Sequence, residues 1–384
     1  MVRVLIANHT PIHGSGSGTY ILTLATGLSR RGHDVALLTP PGPVVRVRPE
    51  VRQFVADELA GEFPSFTGHP RSARLYSQMS PDALADVVGT WERSLDAVIR
   101  SWAPTMVHSQ HIWLLTSAAL NLGQTVVATC HGSEVPYLDA ERTRFQRFRD
   151  SSSPAAVISI SRYVQHLASR HLPTDTPHVA MPNPYDARRF FYRPRPTTGG
   201  RPRVGFVNRL VEYKRGDRFL EIVRGIVDLV PDVEAWIVGD GTERSALEHH
   251  AASLGLADCT RFLGFRPLAS MPDVFRDLDV LVMCSPGEPF GLAAIEAAAC
   301  GTAVFVPNEG GLGELAACPH IRGYVLESPD VIAEIAGVLT EPETESQREQ
   351  RSLHTAARYS LDSYLGQLET VYTGAIADSR GERA

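Results

Sequence analysis

The stretch LDVLVMCSPGEPFGLAAIEAAACG, residues 278–301, indicates the fold more directly than any other part of the chain. It begins as a strand of buried character, passes through a turn of Ser, Pro and Gly, and continues after Gly291 as an apolar helix that ends at Gly301. A strand that leads through a short loop into a helix is the repeating unit of doubly wound, mostly parallel α/β sheets. The stretch therefore predicts an α/β protein.

The turn within this stretch also predicts a binding site for an anion. Unpaired amides at the N-terminus of a helix attract phosphate, and Gly291 would let such a group approach closely. Glu288 stands before the helix and Glu296 a turn inside it, so two carboxylates could hold hydroxyl groups on either side of a diphosphate. The pattern predicts a sugar-nucleotide site; the alternative is an ordinary strand-to-helix turn with two solvated glutamates.

Strand-like and amphipathic segments alternate along both halves of the chain. The predicted strands are Val2–Ala7, Val35–Thr39, Met106–Ser109, Thr125–Thr129, Ala156–Ser159, Val179–Met181, Arg203–Val207, Glu234–Val238, Thr260–Leu263, Val280–Met283, Thr302–Val306 and Gly323–Leu326. Pro and Gly are dense in residues 193–203, which marks a linker between the halves. Two Rossmann-like, doubly wound domains facing a central cleft are the expected arrangement.

Composition limits the classes of protein to which the chain can belong. Its 384 residues suffice for two domains, and 43% hydrophobic with 21% charged residues is typical of a soluble globular protein. A net charge of −6 argues against a nucleic-acid binder, and no apolar run is long enough to span a membrane. Met1 leads directly into strand-like residues, so no signal peptide is expected, and the five cysteines show no paired spacing. We therefore expect reduced thiols and a cytoplasmic location.

Lys214 is the only lysine in the chain, and every other basic residue is Arg or His. A compact ammonium group acts on phosphate as a point charge, which the planar guanidinium of Arg does not reproduce. Lys214 is therefore a candidate phosphate ligand, and chance retention is the alternative.

The pair Glu288 and Glu296 resembles the Glu-x7-Glu signature of retaining glycosyltransferases of family 4, which have the GT-B fold. The resemblance implies that Glu288 contacts the donor sugar and that Glu296 binds the ribose hydroxyls. It also implies that the donor diphosphate lies against the segment of Phe290, Gly291, Leu292 and Ala293.

Two further segments of the second half resemble the same family. Arg209-Leu-x-x-x-Lys214 is similar to the family's Arg-Leu-x-x-x-Lys, which implies that both cations hold the diphosphate, although Asn208 stands where Gly is common and Arg215 follows the lysine. Residues 262–266 resemble the segment that lies against the nucleotide base. This implies that Phe265 and Arg266 belong to the nucleotide site.

A Gly-rich loop, residues 8–19, follows the first strand. Its G-x-G-x-G spacing differs from the G-x-G-x-x-G of dinucleotide-binding proteins, and the second strand ends in Leu38-Thr39 without the acidic residue that holds an NAD ribose. In family 4 this loop reaches toward the donor phosphate and the acceptor, which implies that Gly16 and Gly18 supply backbone to the site. A plain flexible loop is the alternative.

Histidines follow two predicted strands at the edge where open α/β sheets bind ligands. His131 stands at the family position that contacts the donor sugar near the reacting carbon. His108, Gln110, His111 and Trp113 could shape an acceptor pocket, with ordinary loop packing as the alternative. A zinc site is disfavoured because no Cys or carboxylate stands at a tight ligand spacing from these histidines.

Asp277-Leu278-Asp279 is similar to the metal-binding Asp-x-Asp of another glycosyltransferase fold. Here the triplet joins the end of a helix to a buried strand, so we expect capping and packing from it. We therefore expect no metal and no other cofactor.

The resemblance covers nearly the whole chain and implies the activity of the family. That activity is transfer, with retention, of a hexosyl or aminohexosyl group from a nucleoside diphosphate sugar to a hydroxyl group, and a UDP-sugar is the expected donor. His131, Arg209, Lys214 and Glu288 would be the catalytic residues. No enzymic nucleophile stands out, so front-face attack with the leaving phosphate as base is the inferred route.

The acceptor is expected to be a small soluble molecule, because residues 51–100 carry no cationic stripe for an anionic membrane. Glu134 and Asp139 would suit a cationic acceptor such as an aminocyclitol glycoside of antibiotic biosynthesis. The alternatives are a sugar-nucleotide epimerase, a lipid or polysaccharide acceptor, and an NAD-binding or non-catalytic Rossmann protein.

The expected domains are residues 1–190 for the acceptor, a linker at 191–203, residues 204–355 for the nucleotide sugar, and a C-terminal helix at 356–384 that crosses back. A monomer or a homodimer is expected.

Overall fold

The computed structural model describes residues 1–12, 16–43, 48–59, 63–66, 72, 74–140, 153–194, 200–341, 343–379 and 381. The chain separates into two compact units. The first unit comprises Met1–Pro184 together with Leu361–Ala384, and the second comprises Tyr185–Ser360. Residues 195–199 of the predicted linker lie outside the described residues.

The first unit is built on a fully parallel sheet. Its strands are β1 (Arg3–Ala7), β2 (Asp34–Thr39), β3 (Arg52–Val55), β4 (Met106–Gln110), β5 (Val126–Cys130), β6 (Ala156–Ser159) and β7 (His178–Ala180). They lie in the order β3-β2-β1-β4-β5-β6-β7, with every described pair parallel. The central strands are buried along almost their whole length, which explains their continuous apolar sequence.

Helices connect these strands in the doubly wound manner. They are α1 (Gly16–Arg30), α2 (Pro81–Trp102), α3 (Leu115–Asn121), α4 (Val135–Ala140) and α5 (Arg162–Ser169). The sequence fixes the ends of α2 locally, because the Ser80 hydroxyl accepts a hydrogen bond from Ala83 N, Pro81 occupies the first turn, and Ala103 adopts a left-handed conformation.

The second unit repeats the same plan with six strands. They are β8 (Arg203–Val207), β9 (Glu234–Val238), β10 (Thr260–Gly264), β11 (Val280–Val282), β12 (Ala303–Pro307) and β13 (Ile321–Tyr324), in the order β10-β9-β8-β11-β12-β13 and all parallel. Its helices are α6 (Gly216–Leu229), α7 (Arg244–Ser253), α8 (Met271–Asp277), α9 (Leu292–Ala299), α10 (Gly310–Leu315), α11 (Asp330–Thr340) and α12 (Glu345–Tyr359). Both units therefore have Rossmann-like topology, as the sequence predicted.

The last helix, α13 (Leu361–Ser379), belongs to the first unit. Its Tyr364 hydroxyl lies 2.5 Å from that of Tyr20 on α1, and Leu361 and Leu365 pack against Gly27. This helix continues to residue 379, whereas residues 380 and 382–384 lie outside the described residues. None of the helices in the described part of the chain is both long and apolar enough to cross a membrane.

Candidate functional site

The strand order of the second unit reverses at β8, which has β9 on one side and β11 on the other. Ligands of open α/β sheets bind at the carboxyl ends of the strands where the order reverses. The loops that leave this edge are residues 208–214 after β8 and residues 283–291 after β11. These are the two segments in which the sequence predicted a diphosphate and sugar site.

The structure brings Lys214 and Glu288 together at this edge. Lys214 ends a short 3-10 turn, Glu212–Lys214, and its Nζ forms an ion pair with Glu288 Oε2. The two side chains are only 11% and 15% exposed, so the pair is largely shielded from water. The ring of Tyr213 lies 5.0 Å from Nζ, and the Tyr213 hydroxyl accepts a hydrogen bond of 2.9 Å from the exposed Arg209. Lys214, the sole lysine, and Glu288, the first carboxylate of the signature, thus form a largely buried ion pair.

The neighbouring loop after β9 fixes the backbone that carries Arg209. A Cβ atom on Gly239, which has φ +131°, would overlap the carbonyl oxygen of Asn208, and one on Gly241 would overlap that of Leu210. Leu210 N also donates to Asp240 O at 2.9 Å. Glycine is therefore required in this loop because two backbones approach closely.

Gly291 connects the site loop to α9. Its φ of +104° is a conformation that favours glycine, and a Cβ atom would overlap the side chain of Leu312. The amides of Leu292 and Ala293 follow at the helix N-terminus on half-buried residues. Phe290, by contrast, is buried, with its ring centroid 6.3 Å from that of Tyr359. Its side chain therefore anchors the loop.

A pair of glycines that we did not predict supports the same loop. Gly311 N, at the start of α10, donates to Glu288 O at 2.7 Å, and a Cβ atom on Gly311 would overlap the carbonyl oxygen of Pro289. The signal available in the sequence was the pair Gly310-Gly311 shortly after a buried strand, since adjacent glycines at that edge indicate close backbone approach.

Glu296 is a buried carboxyl group without a hydrogen-bond donor among the described residues. It lies inside α9 and is 9% exposed. Burial raises its pKa to about 8, against the opposing effect of Arg189. A carboxyl group in this state can accept hydrogen bonds from the hydroxyl groups of a ligand, and such donors would favour its ionised form.

Phe265 and Arg266 follow β10, the edge strand of this sheet. Both are exposed, Phe265 to 76%, and no described hydrogen bond or ion pair joins them to Lys214 or Glu288. Gly264, at φ +69°, turns the chain there, and its carbonyl accepts from Gly239 N at 2.9 Å. An exposed aromatic ring beside an arginine offers a face on which a base could stack.

In the first unit, the loops after β4 and β5 place His111 and His131 side by side, with ring centroids 4.9 Å apart. His131 Nε2 lies 2.9 Å from Gln110 Oε1. Burial lowers the pKa of His131 to about 3, with further lowering by His111. His131 is therefore a neutral imidazole.

Glycines 16 and 18 lie in the first turn of α1, whereas the sequence placed them in a loop, residues 8–19. A Cβ atom on Gly18 would overlap the carbonyl oxygen of Ile12, but one on Gly16 would meet nothing within 4 Å. The close contact with Ile12 explains why residue 18 is glycine, but no described residue makes such a contact at Gly16. Residues 13–15 of the predicted Gly loop lie outside the described residues.

Two of the expected acceptor-pocket residues are instead part of the packed interior. His108 lies on β4 between the Tyr372 hydroxyl and the Thr129 hydroxyl, both 2.7 Å away, and burial lowers its pKa to about 3. The ring of Trp113 is buried against Phe66.

The two carboxylates assigned to a cationic acceptor also have other partners. Glu134 is 0% exposed and lies 3.0 Å from His111 Nδ1. Asp139 lies 2.9 Å from His171 Nε2. Glu134 is therefore buried, not displayed to solvent.

Asp279 has a structural role, since its Oδ2 accepts a hydrogen bond of 2.8 Å from Arg203 N at the start of β8. Among the residues that the structure describes, no group of three or more His, Cys, Asp or Glu side chains is arranged to hold a metal ion.

Comparison with known proteins agrees with this geometry. Residues 14–189 match the profile of Glycosyltransferase Family 4, and residues 189–355 match that of Glycosyl transferases group 1. The chain is 26% identical over 423 residues to D-inositol 3-phosphate glycosyltransferase of Corynebacterium glutamicum, covering 97% of both chains. It is 28% identical over 335 residues to 2-deoxystreptamine N-acetyl-D-glucosaminyltransferase of Streptomyces fradiae, covering 74% of this chain and 76% of that one.

Solved structures share the fold. Sucrose-phosphate synthase from Thermosynechococcus elongatus superposes with a TM-score of 0.77 at 18% identity, over 98% of this chain and 100% of that one. Anabaena HepE, solved with UDP and glucose, superposes with a TM-score of 0.67 at 16% identity, over 97% and 99%. The two parallel Rossmann-like sheets, the signature loop and the two matching profiles together show that the chain is a glycosyltransferase and belongs to the GT-B glycosyltransferases of the group 1 type.

Proposed function

We propose that the chain is a retaining, metal-independent glycosyltransferase that moves a hexosyl or aminohexosyl group from a UDP-sugar to a hydroxyl of a small cyclitol acceptor. The observation that carries this proposal is Glu296, a buried carboxyl group with no described donor, on the helix whose N-terminus follows the Lys214–Glu288 pair. Ribose hydroxyls would supply the donors that Glu296 lacks. HepE, whose structure contains UDP and glucose, supports uridine as the base.

Charge stabilisation of the leaving diphosphate is the main catalytic requirement. Lys214, Arg209 and the amides at Gly291, Leu292 and Ala293 are its proposed ligands, and donors of this kind contribute roughly 2–4 kcal/mol each to the transition state. Glu288 would hold hydroxyl groups of the donor sugar. Because these groups stabilise the anion with side-chain charges and backbone amides, the proposed reaction needs no metal ion.

Retention follows in this proposal from attack on the face that the diphosphate leaves. The bond from the anomeric carbon to the phosphate oxygen breaks while the acceptor oxygen bonds to that carbon, and the acceptor proton passes to the departing phosphate. His131, neutral because of its burial, would be a hydrogen-bonding group for the donor sugar.

The acceptor class rests on the relatives. The names of two of them contain a cyclitol, D-inositol 3-phosphate in one and 2-deoxystreptamine in the other. Both are small rings bearing several hydroxyl groups, and we propose a soluble acceptor of that class in antibiotic biosynthesis.

Calorimetric titration of UDP in EDTA tests the donor site. We expect wild-type protein to bind UDP, and Glu296→Gln to bind it at least tenfold more weakly. The matched control is Glu334→Gln, an identical change on the exposed face of α11, which should bind like wild type. No UDP binding by the wild type, followed by none of GDP, would remove the basis of the proposal.

Mass spectrometry of reactions with 2-deoxystreptamine and D-inositol 3-phosphate then tests the acceptor. A product heavier by one sugar residue is expected. Epimerisation leaves the mass unchanged, so 1H NMR of the UDP-sugar incubated without acceptor is the second readout, and a new sugar isomer in that spectrum would instead identify an epimerase.

A further inference from the structure

The loops after β1, β4 and β5 hold a buried group of histidines around a single carboxylate, a group defined here as the histidine cluster: His9, His111, His131 and Glu134. The ring of His111 lies between the other two, 4.3 Å from His9 and 4.9 Å from His131 between ring centroids. Glu134, from the turn before α4, is fully buried beside them. The donor site proposed above gives no role to His111 or Glu134.

Glu134 accepts hydrogen bonds from three groups. They are His111 Nδ1 at 3.0 Å, His131 N at 3.2 Å and Ile112 N at 3.4 Å. Burial opposes ionisation, but the adjacent His111 outweighs it and lowers the pKa of Glu134 to about 2. An ionised carboxylate can only accept hydrogen bonds, so Nδ1 of His111 carries a proton.

The backbone of His111 is held in an unfavourable conformation. Its φ is +70°, which is uncommon for a residue other than glycine and costs on the order of 1–3 kcal/mol. Three contacts hold it: the Glu134 carboxylate on Nδ1, the 2.7 Å hydrogen bond from His111 N to Thr129 O, and the 2.6 Å hydrogen bond from Thr116 Oγ1 to His111 O. Such conformations persist where the surroundings determine them fully, and they concentrate at functional sites.

The remaining ring nitrogen, His111 Nε2, has no hydrogen-bond partner among the described residues. His131 differs in this respect, since its Nε2 lies at hydrogen-bond distance from Gln110. A histidine with Nδ1–H tied to a carboxylate presents the lone pair of Nε2 in a fixed direction, and a hydroxyl group is the natural donor to it.

We propose that His111 Nε2 accepts the hydrogen bond of the acceptor hydroxyl, and that Glu134 is the positioning residue that keeps His111 in the Nδ1–H tautomer. The inference rests on the proposed function and assigns its acceptor-hydroxyl ligand. Before reaction the O–H donates to Nε2, which directs a lone pair of the oxygen for attack. As the bond from the anomeric carbon to the phosphate oxygen breaks and the acceptor oxygen bonds to that carbon, the O–H turns from Nε2 and its proton passes to the leaving phosphate oxygen.

Glu134→Gln tests the positioning role with minimal change of shape. The amide oxygen can still accept from Ile112 N and His131 N, but the amide NH2 would face His111 Nδ1 and force the proton onto Nε2. The matched control is Glu369→Gln in the same unit, because Glu369 also faces a histidine, His33, at 3.0 Å.

Three measurements decide the outcome. Long-range 15N NMR at pH 8 should show an unprotonated Nε2 on His111 in wild type and Glu369→Gln, and a protonated one in Glu134→Gln. UDP release from the preferred UDP-sugar, with water alone and with 2-deoxystreptamine, should fall at least a hundredfold in Glu134→Gln and His111→Ala. The Kd for UDP should stay within twofold of wild type.

His111→Gln keeps the test decisive if Glu134→Gln does not fold. Its amide oxygen can accept a hydroxyl near the Nε2 position, so it should recover part of the turnover that His111→Ala loses. Wild-type His111 with a protonated Nε2, or His111→Ala turnover within threefold of wild type, would overturn the inference. Absence of binding of both UDP and GDP by the wild type would refute the proposed function, and the role of His111 with it, whatever the tautomer.

Discussion

Replacing Glu296 with glutamine should make the ligand-free protein more stable while weakening its binding of the donor. The carboxyl has a pKa of about 8 in the folded protein and 4.5 as the reference value. Between these values the folded state holds a proton that the unfolded state has released, so the free energy of unfolding falls as the pH rises. At ~1.4 kcal/mol per unit of pKa, the loss is roughly 3 kcal/mol at pH 7 and about 5 kcal/mol above pH 8.

Urea unfolding of wild type and Glu296→Gln between pH 5 and pH 9 measures this difference. A glutamine does not titrate, so we expect the variant's advantage to grow by ~1.4 kcal/mol per pH unit and to level off above pH 8. Glu334→Gln should show no such slope. A difference that is constant with pH would refute the buried, protonated state of Glu296.

The affinity for the donor should rise with pH, whereas the free energy of unfolding of the ligand-free protein falls. If ribose hydroxyls donate to the Glu296 carboxylate, the proton must leave on binding, and the affinity should rise about tenfold per pH unit up to pH 8. A UDP-sugar is the suitable ligand, because UDP has a phosphate that itself titrates near pH 6. Calorimetry in buffers of different ionisation heat should detect about one released proton per site at pH 7. In Glu296→Gln the affinity should be weak and independent of pH, and a wild-type affinity that does not change with pH would contradict the ribose contact.

Three further outcomes are expected. Lys214→Ala should lower turnover at least a hundredfold, and steady-state kinetics close to wild type would remove Lys214 from the diphosphate site. The turnover rate in EDTA should equal the rate without EDTA. A lower rate in EDTA that Mg2+ or Mn2+ restores would establish a metal requirement. Arg215→Gly should raise the free energy of unfolding by up to about 1 kcal/mol, because Arg215 has φ +55° and its ion pairs with Asp217 and Glu327 are partly exposed. A lower urea midpoint would show that these ion pairs outweigh the strain.

Most of the fold could be predicted because parallel strands buried on both faces leave continuous apolar runs in the sequence. The strand that sequence analysis missed, β3, is an edge strand whose residues Arg52-Gln53-Phe54-Val55 are mostly exposed. It lacks the apolar run because only one neighbour covers it. The start of α1 at Gly16 was missed for a different reason. Glycine weakens a helix locally, and the close packing of Gly18 against Ile12, which explains that residue, is a tertiary contact that the sequence does not display.

In the candidate site too, features set by neighbouring residues could be predicted, whereas contacts between residues distant in the sequence could not. The loop from Glu288 to Gly291 could be predicted because its strand, turn and helix signals are contiguous. The partners of its side chains could not, since Lys214 meets Glu288 from 74 positions away and His111 meets Glu134 from 23. Strand order determines both pairs, because it places loops that are distant in the sequence at the same edge of a sheet.

The Lys214–Glu288 pair also indicates how the donor site avoids an unpaired charge in both states. Without a donor, the two largely buried groups neutralise each other. When a sugar diphosphate binds as proposed, the phosphate becomes a partner for Lys214 and the sugar hydroxyls become donors to Glu288, so neither group is left alone in a poorly solvated place. Removing either side chain alone leaves the other uncompensated, which costs several kcal/mol where burial is complete. The loss of turnover in Lys214→Ala therefore contains a contribution from Glu288, which is left without its partner. Comparing Lys214→Ala, Glu288→Gln and the double variant separates this contribution from the lost phosphate contact. The double variant restores electrical neutrality but not the cation, and Glu288→Gln alone measures the lost sugar contact.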